Sequence, residues 1–481
     1  MSPIKSIAGA LVLLLSSACA TLNQAPYSVL LQGGNLDVLS EQVVAVGGEV
    51  THQLPVINGI GAKLSQAAID QLQQSAEAER LIIDQGLTEP SQDAQPTQPV
   101  AQWFESTSGK PSINSQLADL TGASGLHQLG SSGKGVGIAI LDTGLWVDPE
   151  SQHSLNQQKY NAISDRIDDT IDLDGHGTHL ASLIKGVEHQ FRGIAPDATL
   201  IDIKAFDRLG EADFLDVIRG VQWVIQHRHE LNIRVLNISI SASPELAYWL
   251  DPVNQALTAA WHAGITVVVA AGNSGPEYGS VTSPANNPWL LTVGAIDTGA
   301  LASKADDRVA PFSAGGPTHS RHIKPDLVVP GTLLAGVLPP TSTRSISDLM
   351  IDEQGLWVAS GTSQAAAVTS GLIALLIEHD PSLTNHDIKC LLTSSADQGL
   401  LENGQPAYSP FRQGRGYVNL SNAITHGTPD CESSLKRFSP ETQLVGKVTE
   451  EQIDRARRLD EDALPTGGLG NTAVFWGTSP E

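Results

Sequence analysis

The sequence predicts an α/β protein, a doubly wound and mostly parallel sheet over residues 118 to 426, preceded by a small ferredoxin-like α+β unit over residues 26 to 85. Three observations carry that expectation. Near-continuous apolar runs (Val136 to Leu141, Val235 to Ser239, Ile265 to Val269) suit strands buried on both faces of a parallel sheet. Helical stretches, Asp213 to His229 and Asn254 to Ala263, fall between such runs, as crossover connections require. Ahead of this alternation, residues 26 to 85 read strand, helix, strand, strand, helix, strand.

The elements follow in order. Residues 1 to 19 read as an export signal, with Lys5 as the positive region and Ile7 to Leu15 as a short apolar run. That run is too short for a bilayer, which needs about 20 residues. Leu15-Ser-Ser-Ala-Cys19 resembles a bacterial lipobox with Ser16 where Leu is preferred, so Cys19 is a candidate lipidation site. Cleavage near Ala18 or Ala20 is the alternative. In the α+β unit, Tyr27 to Leu31 suits a strand and Leu36 to Val46 has helical spacing, with Gly47-Gly48 as a turn. Val50 to Leu54 and Ile60 to Leu64 are expected as strands. Ser65 begins a helix with Ala68, Ile69 and Leu72 on one face, and Arg80 to Asp84 form the last strand. Residues 86 to 117, rich in Pro, Gln and Ser, are expected to be a linker. Residues 432 to 481 are polar with little period and receive no role.

Composition narrows the partners. A net charge of −24 lacks the cationic footprint that phosphate backbones demand, so nucleic acid is not an expected partner. The same charge disfavours anionic membranes, leaving a lipid on Cys19 as the one expected membrane contact. Among three cysteines, Cys390 and Cys431 are then a candidate disulfide in an oxidising compartment. A monomer is expected.

Chemistry concentrates in four short segments. Asp142-Thr-Gly ends an apolar strand, where α/β sheets place their functional crevice. An acid there can orient an imidazole through its Nδ1 proton. Alone, such a turn Asp more often caps backbone. His176 opens a helix between Gly175 and Gly177. His179 lies three residues on, with Asp172 and Asp174 nearby, and raises a metal reading; the zincin spacing and a nearby cysteine are both missing, so no metal is expected and His179 reads as structural. Ser363 precedes the apolar helix Ala365 to Ile377, whose positive end favours a developing oxyanion, though a capping role for Ser363 or Thr362 is also common. Asn273, after Ala270-Ala271-Gly272, offers a side-chain amide to the same oxyanion. Acid, base, amide and hydroxyl in this order point to acyl transfer by a serine nucleophile.

These segments, with Arg192-Gly-Ile-Ala-Pro196, Phe312-Ser313 and Lys324-Pro-Asp-Leu-Val-Val-Pro-Gly331, resemble the subtilisin-like serine proteases over roughly 26 to 425. Gly47-Gly-Glu-Val-Thr-His52 and Ile57-Asn-Gly-Ile60 resemble the family's inhibitory propeptide of inhibitor-I9 type. The resemblance implies a subtilisin-like fold and a secreted endopeptidase made as a zymogen, inhibited and then freed from its own propeptide, with protein or peptide substrates. It implies Asp142, His176 and Ser363 as the catalytic residues and Asn273 in the oxyanion hole. Ser239-Ile240-Ser241 would form one cleft wall by strand-like pairing, Ala270-Ala271-Gly272 the other, and Phe214 would cover a distal subsite. The family's calcium loop after the His helix has no room between Lys185 and Phe191, so no cofactor is required and structural calcium has no clear motif; Asp306-Asp307 reads as surface charge. Three residues depart from the pattern: Ser241 for Gly, Gln364 for an oxidisable Met, and Ala367 for Pro. Ala367 is expected to change the balance of water and amine as acyl acceptor, which hydrolysis-to-aminolysis ratios of Ala367→Pro would test. The alternative is a weak or inactive member of the fold that binds in the cell envelope, distinguished by failure of a fluorophosphonate to label Ser363.

Overall fold

The structure is a computed structural model describing residues 26–75, 77–84, 86–88, 112–146, 158–167, 170–187, 190–244, 246–298, 307–344, 351–426, 448–463 and 475–476. The expected export signal, Cys19, Cys431 and Asp306 lie outside the described residues.

The N-terminal unit runs β1 (Tyr27–Gln32), α1 (Leu36–Ala45), β2 (Glu49–Leu54), β3 (Gly59–Leu64), α2 (Gln66–Leu72) and β4 (Arg80–Ile83). Its antiparallel sheet is ordered β2-β3-β1-β4, the ferredoxin-like arrangement. Asn35 caps α1 and Ser65 caps α2, each side-chain oxygen accepting a backbone N–H of the first turn. Val29 and Leu31 of β1 pack on Leu39 and Val43 of α1 and Ile69 and Leu72 of α2, a small core of its own. The other face meets the larger body: Leu30, Leu54 and Ile57 join its core, and Gly61 leaves room for Leu215, whose Cδ1 would lie 2.9 Å from an added Cβ.

The larger body holds an eight-stranded sheet. After β5 (Leu87–Thr88), the chain contributes β6 (Gly137–Asp142), β7 (Gln158–Asn161), α3 (His176–Lys185), β8 (Thr199–Lys204), β9 (Glu211–Ala212), α4 (Phe214–His227) and β10 (Ile233–Ile238). Then follow α5 (Pro252–His262), β11 (Thr266–Ala270), β12 (Leu291–Asp297), β13 (Arg308–Val309), β14 (Leu327–Pro330), α6 (Thr362–His379) and, near the C-terminus, α7 (Glu450–Ala463). The order is β13-β12-β11-β10-β6-β8-β7, with β14 also paired to β12, and only the β12–β13 pair is antiparallel.

Why the strands read as unbroken apolar runs is visible in their two faces. Ile138, Ile140, Val235 and Val268 point to a core shared with α3 and α6. Ala139, Leu141, Leu236, Val267 and Val269 point the other way, to α4 and α5. Both faces are covered, so successive side chains are all buried. Helices on both faces make the sheet doubly wound.

Two stretches differ from expectation. The linker expected over 86 to 117 is structured at both ends: β5 pairs with the larger body, and Asn114 exchanges two side-chain hydrogen bonds with the Ala335 backbone. The polar C-terminal segment, read as having little period and given no role, contains α7. Its Ile453 and Ala456 bury against Phe411 and Val448, and Asp460 accepts from the Ser409 N–H (2.6 Å), the Ser409 hydroxyl (2.8 Å) and the Tyr278 hydroxyl. The helix is mostly charged, with Ile453 and Ala456 as its buried apolar residues, and leaves little periodicity to read. Cys390 is disulfide-bonded. Among the described residues, no helix is long and apolar enough to cross a membrane.

Candidate active site

Asp142 is the last residue of β6, at the C-terminal edge of the sheet, and is buried. Its Oδ1 accepts from the Thr143 N–H (2.9 Å) and lies 2.7 Å from His176 Nδ1. The carboxylate can only accept, so the imidazole carries its proton on Nδ1 and its unprotonated Nε2 can act as a base.

His176 is the first residue of α3, after Gly175 at φ 114°. The loop before it is braced by acids. Asp172 accepts from the Asp174 and Gly175 N–H groups with one oxygen and from the Thr178 N–H and hydroxyl with the other. Asp174 accepts the His176 N–H (3.0 Å) and pairs with Arg344 (2.6 Å). Gly177 must be small, because an added Cβ would lie 2.3 Å from the Gly144 carbonyl and 3.3 Å from Asp142 Oδ1. Thus Asp172 and Asp174, weighed as metal ligands, instead shape the turn that presents His176. His179 is buried, with Nε2 donating toward the Leu334 and Trp357 carbonyls at 3.1 Å. Burial, then the neighbouring His176, pushes its pKa down to about 3, so it stays neutral and structural. Among the described residues no group of three or more His, Cys, Asp or Glu is placed to hold a metal ion.

Ser363 lies in the first turn of α6, which packs against α3. Neither it nor Thr362 caps the helix; Gly361 is the cap and makes no side-chain bond. Thr362 instead fixes Asn273. The Thr362 N–H and hydroxyl both donate to Asn273 Oδ1 (3.0 and 2.9 Å), and the Thr362 hydroxyl accepts the Gly272 N–H (3.1 Å). With its oxygen occupied, Asn273 has only its NH₂ to offer to the space beside the helix start. This role of Thr362 was missed, although a hydroxyl next to the nucleophile is the available signal. The geometry therefore assembles two pairs, Asp142 with His176 and Asn273 with the start of the Ser363 helix.

The cleft beside them is occupied by the chain itself. Thr88 and Ser241 exchange backbone hydrogen bonds as an antiparallel pair (Ser241 N–H to Thr88 O, 2.8 Å; Thr88 N–H to Ser241 O, 3.4 Å). On its other edge β5 pairs antiparallel with β9, Leu87 with Ala212 and Thr88 with Glu211. Ser241 and Glu211–Ala212 thus flank β5 on its two edges. At the end of β11 the Ala271 N–H donates to the Val293 carbonyl, and the Gly272 carbonyl accepts from the Ala314 N–H. A two-residue strand in a polar loop gives no period, so β9 was not legible. Leu87 joins an apolar cluster with Phe214 and Ile240, lining an open cleft of about 830 Å³. Ser239 is fully buried.

Comparison with known proteins agrees with this geometry. Residues 133–416 match the model of the subtilase family, peptidase S8. The chain is 34% identical over 307 residues to the serine protease AprX of Bacillus subtilis (strain 168), covering 61% of this chain and 67% of that protein. It is 25% identical over 393 residues to subtilisin E of the same organism, covering 80% and 85%. Among solved structures it resembles fervidolysin from Fervidobacterium pennivorans at a TM-score of 0.64 and 22% identity, covering 84% of this chain and 62% of that one, a likeness of fold. The chain belongs to the subtilase family and is a serine-type endopeptidase, a hydrolase acting on protein or peptide substrates.

Proposed function

We propose that the chain is an exported zymogen that removes its own N-terminal unit and then hydrolyses peptide bonds through Asp142, His176 and Ser363. The observation that carries this reading is β5 lying in the cleft, paired with Ser241 on one edge and β9 on the other. An extended segment held between two backbone edges is how a peptide substrate is gripped. Here the occupant is continuous with the N-terminal unit, so that unit acts as an intramolecular inhibitor, and the bond to be cut lies in the stretch after Thr88.

The chemistry follows from the groups present. His176 Nε2 takes the hydroxyl proton of Ser363 as Oγ attacks the scissile carbonyl carbon. Negative charge gathers on the carbonyl oxygen, where the Asn273 NH₂ and the Ser363 N–H donate. Asp142 stabilises the imidazolium through Nδ1–H. The imidazolium then protonates the departing amine, and water, deprotonated by His176, releases the acyl group from Ser363. None of these steps calls for a metal or cofactor. Leu87 in its apolar surroundings favours substrates with an apolar residue at the same distance from the cut. Export by the N-terminal signal, with lipid on Cys19, and a monomeric enzyme complete the reading.

Intact mass and N-terminal sequence of the purified protein test it. The parent chain should split between residues 89 and 113, and Ser363→Ala should remain one unsplit chain. A Ser363→Ala protein processed like the parent would show that another protease does the cutting.

A further inference from the structure

Strand β8 carries two charges inside the sheet. Its side chains alternate: Ile201 and Ile203 face the α4 and α5 side, so Leu200, Asp202 and Lys204 share the face covered by α3. Asp202 is fully buried and Lys204 nearly so. A buried carboxylate and ammonium in a central strand are expensive unless they bind something in particular.

What they bind are the two loops that carry the catalytic acid and base. Asp202 Oδ2 accepts the Leu145 N–H (3.2 Å), three residues after Asp142, and the Thr170 hydroxyl lies beside it. Lys204 Nζ donates to the Thr143 carbonyl (2.5 Å) and the Ile171 carbonyl (3.1 Å). The same two loops meet directly, since the Gly177 N–H donates to the Thr143 hydroxyl and the Trp146 N–H to the Thr178 hydroxyl. Gly144, at φ 106°, lies so close to the Thr170 carbonyl that a Cβ would sit 2.2 Å from it. β8 is thus the floor beneath the Asp142–His176 pair, and Asp202 and Lys204 are the pins.

We infer that Asp202 is a positioning residue for the Asp142–His176 pair, and that its ionised carboxylate holds the loop after Asp142 in the reactive geometry. The inference rests on the catalytic roles proposed above. Burial pushes the Asp202 carboxyl up to about 7, against the pull of Thr170, the Leu145 N–H and Lys204, while Asp172 adds to the rise. The groups facing it are few. Lys204 shares its face, and Asp172 comes from the loop before α3. On β6 its neighbour is Ile140 while Asp142 sits beside Lys204, and on β7 its register partner is the exposed Lys159. As pH falls through about 7 the carboxylate takes a proton and becomes a weaker acceptor for Leu145. Protonation of Asp202 thus adds one ionisation to the loss of activity on the acid side.

The test counts active sites by fluorophosphonate labelling, then measures kcat per labelled site and KM from about pH 5 to about pH 9 for the parent and Asp202→Asn. The parent should show an acid limb that falls by two protons. Asp202→Asn should show a one-proton limb, with kcat about tenfold lower and KM unchanged, because the cleft walls do not touch residue 202. A variant with the parent's kcat and the parent's limb overturns the inference. Should Asp202→Asn give no labelled enzyme, the parent decides alone: a one-proton acid limb overturns the inference and a two-proton limb supports it. A correctly split parent that takes no label would instead overturn the catalytic reading of Ser363.

Discussion

The edge of the sheet that carries the reacting groups and the surface that receives the N-terminal unit are both rich in hydrogen bonds, yet they are built on different lines. At the sheet edge the braces of Asp142, His176 and Asn273 all come from within one body. Asp142 is held by Thr143 and His176, Asn273 by Thr362, and His176 through Asp174 and Arg344. At the receiving surface the bonds run between two bodies. His52 of β2 reaches Asp216 of α4 (2.9 Å), Gln222 of α4 meets the Val56 N–H (3.2 Å), Gln32 of β1 meets Gln255 of α5 (2.8 Å), and Asp84 sits at the start of α4. If the chain is the zymogen proposed above, one set must persist through every turnover. On the same proposal the other would hold until the chain is cut and then let go, and polar contacts that water can replace suit that purpose.

The largest effect should come from the braced side. Asn273→Ala should lower kcat by roughly 10²–10³ with little change in KM, the range known for removing this donor in a subtilisin and not a value derived from the present geometry. A loss shared equally between kcat and KM would mean that Asn273 grips the substrate rather than the transition state. On the separable side, His52→Ala removes a bond to a carboxylate that also pairs with Arg219 (2.5 Å). The lag before activity appears should shorten about tenfold, the size of one hydrogen bond to a charged group. Turnover after the lag should match the parent. If the lag is unchanged, the polar contacts are incidental and the apolar contacts of Leu30, Leu54 and Ile57 hold the unit in place.

Sequence reading succeeded and failed for physical reasons that fall along the same division. The strands and helices of the N-terminal unit carry period and turn signals, so their bounds could be read to within a residue or two. Asp142, His176, Asn273 and Ser363 sit in short glycine-rich segments, a composition visible in the chain itself. Thr362, Asp202 and β9 were missed because their partners are far along the chain: Thr362 bonds a residue 89 positions away, and Asp202 one 57 positions away. Pairing at that range leaves no periodic trace. Asp202 and Lys204 did leave one clue, two charges in a run that otherwise reads Leu-Ile-x-Ile-x-Ala. An interrupted apolar strand beside a catalytic one is a signal that could be used again.

The smallest effect concerns how firmly the separable side holds as pH changes. Asp84, just after β4, accepts the Phe214 N–H (3.2 Å) and the Leu215 N–H (3.4 Å) and so closes the N-terminus of α4. Those bonds and the helix dipole favour the ionised carboxylate. Burial works against them, with repulsion from Asp213 adding to it, and the carboxyl is pushed up from 3.8 to about 6. The docked unit therefore binds a proton more readily than the released one. Docking is firmest below about pH 4, weakens as pH rises from about 4 to about 6, and is level above that. The dissociation rate of the cleaved unit should rise a few-fold across that interval and stay flat in Asp84→Asn, which keeps an acceptor for α4 but cannot ionise. A parent whose dissociation rate falls over the same interval would show that the helix terminus outweighs burial and that the ionised carboxylate is the docked form.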